Sequence, residues 1–368
     1  MPNNCLSSAA LRHGLRGGLF IAALCGLLGL SSHPVALASP MPVSAKPLQI
    51  YFVDVEGGQA TLFVTPEGKS LLIDTGWPGF NGRDADRIAA AAKLAGVAKI
   101  DFVLLTHFHQ DHAGGVIQLA AKIPVGSFID HGENREPTNS AAGQVFRDYQ
   151  AFLAKENHKR MIVKPGDELP IAGVEAKVVS GDGAVLETPL PGAGEANPAC
   201  STSTPSLADT SENSRSLGVL FTFGTLRILD LGDLTSDKER LLMCPLNKLG
   251  KIDILVVSHH GSLTSSSPVL LNGIAPRVAI MDNGATKGGA PLSWDTVKKS
   301  PRLEDLWQLH YSNEGGAAHN VADTFIANLS GTADAGNYLK LTASEDGSFE
   351  VYNARTQATK HYAASTSH

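Results

Sequence analysis

The run His107-Phe108-His109-Gln110-Asp111-His112 packs four side chains able to hold a metal into six residues. Val103-Leu104-Leu105 before it read as a buried strand leading into Thr106, and Ala113-Gly114-Gly115 after it open a helix through Val116, Leu119 and Ala120. The run therefore belongs on a strand-to-helix loop. Alternation turns His107 and His109 to one side and Asp111 and His112 toward another, which suits two adjacent ions. Imidazole and carboxylate donors fit zinc or another borderline divalent ion.

Three further stretches have the same form, an apolar strand ending in a polar residue. Leu71-Leu72-Ile73 ends in Asp74, Arg227-Ile228-Leu229 leads to Asp230 and Asp233, and Val256-Val257-Ser258 leads to His259 and His260. Taken with the histidine run, this order resembles the metallo-β-lactamase superfamily over about residues 48 to 355. The resemblance implies an αββα sandwich, an α/β fold of two mixed β-sheets with outer helices and the metals at one edge between them. It also implies roles. Asp74 would orient an imidazole by a hydrogen bond. Asp230 and Asp233 compete for the position between two ions, and the Gly-Asp spacing favours Asp233, with Asp230 as a supporting residue. His259 and His260 compete in the same way, since a straight strand lets only one face the metals. The His-Gly order favours His260, leaving His259 as a catalytic candidate facing substrate or core.

Asp54-Val55-Glu56-Gly57-Gly58-Gln59-Ala60, His259-His260-Gly261-Ser262 and Asn213-Ser214-Arg215-Ser216-Leu217 are similar to the branch holding the nuclease-like domain of bacterial DNA-uptake proteins and the secreted phosphorylcholine esterases. Other branches carry a further histidine between the main run and the bridging aspartate. From Gly132 to Asp233 this chain has only His158, in the charged segment Lys155–Arg160. The implied ligands are His107, His109 and Asp233 for one ion and Asp111, His112, Asp233 and His260 for the other. The cofactors would be two divalent ions, zinc first, with manganese or iron as alternatives. Asp111 is also a candidate to orient a hydroxide shared by the ions. His131, Asn213 and His319 are candidates to face the substrate.

Arg12 and Arg16 precede the apolar segment Gly18–Leu30, and Ala36-Leu37-Ala38 has the small-x-small form of a cleavage site. Residues 1–38 thus read as a secretory signal peptide and 39–368 as one hydrolase domain, periplasmic or secreted, with no mature membrane span. The leader contains Cys5 and Cys25, leaving Cys200 and Cys244, which an oxidising compartment permits to form one disulfide without the sequence showing that they meet. The chain has 36 acidic against 30 basic residues, two of the latter in the leader, and shows no basic stripe. Without a positive footprint nucleic acid is an unsuitable partner, and a small-molecule substrate is expected. No partner protein is inferred.

The sequence predicts an early β-meander over residues 48–74, helices over 84–95, 140–155, 293–299 and 321–328, strands over 175–180, 217–223 and 226–231, and a hairpin at Asp346-Gly347. Residues 181–215, rich in Gly, Pro, Ser and Thr, read as a loop insertion, either a lid over the cleft or a surface excursion. The expected function is an exported metal-dependent hydrolase that uses a metal-bridging hydroxide on a phosphodiester or other small ester. The alternatives are a lactonase or β-lactamase-type enzyme, an iron-dependent redox protein on the same fold, and a non-catalytic metal-stabilised binding protein.

Overall fold

Alternation along the strands sorts their side chains onto two faces, and both faces are covered. Ile50 and Phe52 of the strand Leu48–Phe52 share one core with Phe63, Ile73, Phe221, Ile228 and Ile254. Tyr51, Leu62, Leu72 and Val103 enter a second core with Ile88 of the helix Arg83–Leu94 and Tyr149 of the helix Ala141–Glu156. Leu229, Leu255 and Ala279 enter a third with Leu242, Leu270, Ile274 and Val297 from the helices Ser236–Met243, Pro268–Ile274 and Pro291–Lys298. Three cores separate four layers: helices, sheet, sheet, helices. Phe63 and Phe221 stack across the central core with ring centroids 4.3 Å apart.

The computed structural model describes residues 46–329 and 335–365, so the expected leader lies outside the described residues. The first sheet runs in the order Ala358–Tyr362, Phe349–Asn353, Leu339–Ala343, Leu48–Phe52, Thr61–Val64, Ser70–Ile73, Ile100–Leu104, Val125–Asp130 and Lys159–Ile162. It is antiparallel as far as Ser70–Ile73 and parallel beyond. The second runs Ile326–Asn328, Asp305–His310, Val278–Met281, Ile254–Val256, Leu226–Asp230, Gly218–Phe223, Glu175–Gly181 and Ala184–Val185, parallel through its first five strands. The C-terminal ends of both parallel runs release the motif residues, in keeping with the rule that open α/β sheets place their sites there. Among the described residues no helix is long and apolar enough to cross a membrane.

The meander, the hairpin and the helices near 84–95, 140–155 and 293–299 match the sequence reading to within two residues. The helix expected over 321–328 does not form. A short 3-10 turn, Asp323–Phe325, leads there into the strand Ile326–Asn328, which pairs in parallel with Gln308 and His310. Short apolar stretches fit either periodicity, and here pairing at a sheet edge decides.

The insertion at 181–215 divides into two parts. Its middle lies along residues 244–250, with Asn197 N–H donating to Pro245 O (3.1 Å), Gly194 N–H to Asn247 O (2.8 Å) and a disulfide joining Cys200 to Cys244. Its last turn, Glu212–Arg215, reaches the C-terminal strand ends. Replacing Cys244 or Cys200 by serine is expected to lower the unfolding free energy by about 2–4 kcal/mol in urea titrations, because the open chain gains conformational freedom. Equal midpoints for variant and wild type would show that the disulfide carries no stability.

One buried hydrogen bond ties the two sheets beside that edge. Gln59 Nε2 donates to Asp230 Oδ2 at 2.6 Å, and Gly232 N–H donates to Asp230 Oδ1 at 3.0 Å. Burial nevertheless pushes the Asp230 pKa up to about 7. Because the folded value exceeds the unfolded one, about 3.9, the protonated group favours folding at low pH and that contribution is lost as pH rises through about 7. Asp230→Asn is expected to remove this loss. Its Tm should gain on wild type by roughly 5 °C between pH 5 and pH 8, whereas parallel Tm curves would mean that Asp230 ionises without penalty.

Candidate metal centre

Asp111, His112, Asp233 and His260 form a buried group in which one donor atom from each lies within 4.8 Å of the others. His112 Nε2 is 3.1 Å from His260 Nε2, 3.2 Å from Asp233 Oδ1 and 3.3 Å from Asp111 Oδ2. His260 Nε2 is 3.3 Å from Asp111 Oδ2 and 3.4 Å from Asp233 Oδ1. A tetrahedral zinc about 2.0–2.1 Å from each donor would set the donors about 3.3–3.4 Å apart. The observed edges fit that cage. Asp233 Oδ1 is also buried without a hydrogen-bond partner, an orphan that a cation would satisfy.

A second group meets the other oxygen of Asp233. His259 Nε2 is 3.4 Å and His107 Nε2 3.9 Å from Asp233 Oδ2, and His107 Nε2 is 3.0 Å from His109 Nδ1. Asp233 thus stands between the two sets of donors, while Asp230 turns to Gln59 and Gly232. His259 corrects the sequence expectation that only one histidine of the pair faces the centre. The strand does not continue straight. His259 (φ 55°) and His260 (φ 54°) are both left-handed, so the alternation rule fails and the two rings approach one carboxylate together. Such backbone costs energy and persists where its surroundings enforce it. Here His259 N–H donates to Gly232 O (3.0 Å), while His260 O accepts from Gly289 N–H (2.8 Å).

Four of the five imidazoles have a second partner at the nitrogen turned away from the centre. Asp74, itself left-handed (φ 59°), accepts from Thr106 N–H (2.8 Å), from the Thr106 hydroxyl (2.7 Å) and from His112 Nδ1 (2.7 Å). Since the Thr106 proton goes to Asp74, its oxygen can only accept from His107 Nδ1, 3.0 Å away. His109 Nε2 meets Glu136 Oε1 (2.9 Å), His259 Nδ1 meets the Thr264 hydroxyl (2.9 Å), and His260 Nδ1 lies 3.4 Å from Asp282 Oδ1. The acceptors Asp74, Thr106 and Glu136 assign to His112, His107 and His109 the tautomers expected of metal-binding imidazoles.

Protons and metal ions compete for the same donors. Burial opposes ionisation of Asp233, but the neighbouring His112, His259 and His260 hold it well below the ordinary carboxylate range. Burial likewise opposes protonation of His112, yet Asp233, Asp111 and Asp74 raise it well above the usual histidine value. Burial, with His112 and His109 adding to it, keeps His107 neutral. The same groups favour a cation between them.

Several residues with no signal in the sequence support this arrangement. Glu212, fully buried, accepts from Phe108 N–H (3.2 Å) and Arg135 N–H (2.7 Å), and its own N–H donates to Glu136 (3.1 Å). The end of the insertion is thereby joined to the residue that orients His109. Ser216, within the stretch Asn213–Leu217 already singled out in the sequence, accepts through Oγ from Asp233 N–H at 3.2 Å. Lys287 forms an ion pair with Asp111. His131, expected to face substrate, is instead buried, with Nε2 3.1 Å from Glu212 Oε2 and its ring against Phe108. His319 contacts Gly315 and Asp295 and packs on Trp294. Asn213 lies in the Glu212–Arg215 turn, its Oδ1 buried without a partner. Asp54, Glu56 and His310 form another carboxylate–imidazole group, in which Arg87 pairs with Asp54 at 3.0 Å.

A family model described as the metallo-beta-lactamase superfamily matches residues 53–196, which include Asp74 and the whole run from His107 to His112. Recombination protein 2 of Haemophilus influenzae is 27% identical over 238 residues, covering 64% of this chain and 24% of that protein. Competence protein ComA of Neisseria gonorrhoeae is 26% identical over 235 residues, 62% of this chain and 26% of that protein. The chain thus spans about a quarter of the length of these relatives. Among solved structures, the metallo-beta-lactamase fold protein YhfI from Bacillus subtilis is similar with a TM-score of 0.41 and 13% identity, over 71% of this chain and 95% of that one. With its motifs released at one edge of two mixed sheets, the chain carries over residues 53–196 a match to the metallo-beta-lactamase superfamily, whose members are usually metal-dependent hydrolases.

Proposed function

We propose that this protein is an exported metal-dependent hydrolase with a two-ion centre, zinc in both positions, acting on a phosphodiester or another small ester. The observation that carries this reading is the Asp233 carboxylate with donors on both sides, His259 and His107 toward Oδ2 and His112 and His260 toward Oδ1. His107, His109, Asp233 and His259 would hold one ion, and Asp111, His112, Asp233 and His260 the other. His259 would thereby supply the nitrogen that the missing intermediate histidine supplies in other branches. When bound, such ions provide Lewis acidity and a water of lowered pKa.

The chain's own residues fix the donors. Asp74, Thr106, Glu136 and Thr264 hold four of the five rings by hydrogen bonds to the nitrogen turned away from the centre. The phosphodiester reading draws on the resemblance to relatives named as recombination and competence proteins, while the acidic balance favours a small diester over nucleic acid. Export draws on the leader motif and is compatible with the Cys200–Cys244 disulfide.

Elemental analysis of the reconstituted protein should find about two zinc ions per chain, with turnover of a chromogenic phosphodiester lost on chelation and restored by metal. Asp233→Asn should bind less than about one ion and fall at least about a hundredfold in kcat, because one substitution weakens both positions. Absence of metal after reconstitution would end the proposal, and iron with a visible absorption band but no hydrolysis would point to redox chemistry. Glu136→Ala should fold normally and weaken metal affinity about 10–100-fold in competition with a chelator. Wild-type affinity would show that His109 needs no such partner.

A further inference from the structure

The Gly57-Gly58 turn stood out in the sequence yet holds no metal donor. It packs against the loop that carries Lys287. A Cβ at Gly57 would lie 2.9 Å from Gly284 N and from Lys287 Cβ, and one at Gly58 would lie 2.3 Å from Asp111 O. Gly284 N–H donates to Lys287 O (2.8 Å), Gly289 N–H donates to His260 O (2.8 Å), and a Cβ at Gly288 would lie 2.2 Å from His260 O. Glycines thus let three backbones meet without side chains between them. The main chain at Lys287 is clamped between the turn and His260, which fixes where the side chain begins.

The far end of that side chain lies at the rim. Lys287 is paired with Asp111, its side chain is 34% exposed against 9% for Asp111, and Nζ is 5.1 Å from the centroid of the Trp77 ring. Trp77 follows the Asp74-Thr75-Gly76 turn, and its N–H donates to Asp84 Oδ2 at 2.9 Å. The ring covers one side of the ammonium and removes water from it. A lysine so close to positions for two divalent cations would be repelled when they are filled, since Asp111 would then be shared with an ion. With Asp111 turned to an ion, the ammonium at the rim needs a negative partner, and an anionic group of a molecule bound in the cleft can supply it.

We infer that Lys287, set by the Gly57-Gly58 and Gly288-Gly289 clamps and flanked by Trp77, is the recognition point for an anionic oxygen of the substrate, the non-bridging oxygen of a phosphoryl group. The inference rests on the two-ion hydrolase reading. Lysine serves as a compact point charge for phosphate, and a flexible stem on a fixed backbone lets it leave Asp111 and meet an incoming oxygen. An ester without charge on the acyl group would gain nothing from it.

The test uses the full mature chain loaded with zinc, comparing wild type, Lys287→Ala and Lys287→Arg. Metal content, calorimetric binding of inorganic phosphate, and kinetics on bis(p-nitrophenyl) phosphate and p-nitrophenyl acetate are measured. Lys287→Ala should keep the wild-type metal content and bind phosphate about 10–100-fold more weakly. Its kcat/KM on the diester should fall by a similar factor, chiefly through KM, with a much smaller fall on the acetate. Lys287→Arg should recover most of the phosphate affinity. Wild-type phosphate affinity in Lys287→Ala would overturn the inference, as would loss of metal or an equal fall on both esters, which would leave Lys287 only a counter-ion for Asp111. If wild type hydrolyses the acetate alone while Lys287→Ala still loses phosphate affinity, the anion site stands and the phosphodiester reading falls.

Discussion

Asp233 is a carboxylate buried where water cannot neutralise it, and the surrounding structure answers that cost. Isolated buried charge is expensive, so an ionised carboxylate in such a place needs positive or hydrogen-bonding groups on every side. His112 and His260 approach one oxygen and His259 and His107 the other, while Ser216, by accepting the backbone N–H of Asp233, holds the turn that presents it. The same demand then passes outward, because an imidazole that turns one nitrogen inward must satisfy the other. Asp74, Thr106, Glu136 and Thr264 meet that requirement, and Glu212 continues it into the insertion.

The division of labour between the sheets follows from topology. Asp74 and the run from His107 to His112 leave the first sheet, whereas Asp233, His259, His260 and Lys287 leave the second. Parallel strands release their C-terminal ends on one side, and two such runs packed face to face bring both sets of residues to the same edge. The Gln59–Asp230 hydrogen bond lies beside this meeting line and couples the sheets without taking part in the centre.

The legible parts of the sequence were those whose geometry is local. The histidine run sits between a strand and a helix that set its direction, Asp74 directly follows a strand, and the contest between Asp230 and Asp233 is decided by Gln59 and Gly232, which take Asp230. The pair His259-His260 was misjudged because two consecutive left-handed residues defeat a rule based on extended backbone. Ala-Asp-Thr-Phe-Ile-Ala-Asn, residues 322–328, carries no pattern that distinguishes helix from strand, and only its neighbour Asp305–His310 decides. Glu136, Glu212 and Lys287 were invisible for another reason. Each contacts the centre across tens of residues or more, from a loop whose path no local propensity determines. The glycines around Lys287 were the one available hint, since a glycine pair often marks close approach of two backbones.

The split origin of the donors also governs when the centre can come into being. The segment from His107 to His112 can form its turn early, but Asp233 and His260 lie more than a hundred residues further along the chain and reach it only after both sheets have assembled. Contacts of that sequence separation are late and slow to form, since the loops that join them must close first. A nascent chain therefore offers an ion only the small local subset, and the complete cage exists only once the segments that carry Asp233 and His260 have packed against it. Tight retention of an ion becomes a certificate of correct assembly, one that a half-finished chain has no means to counterfeit.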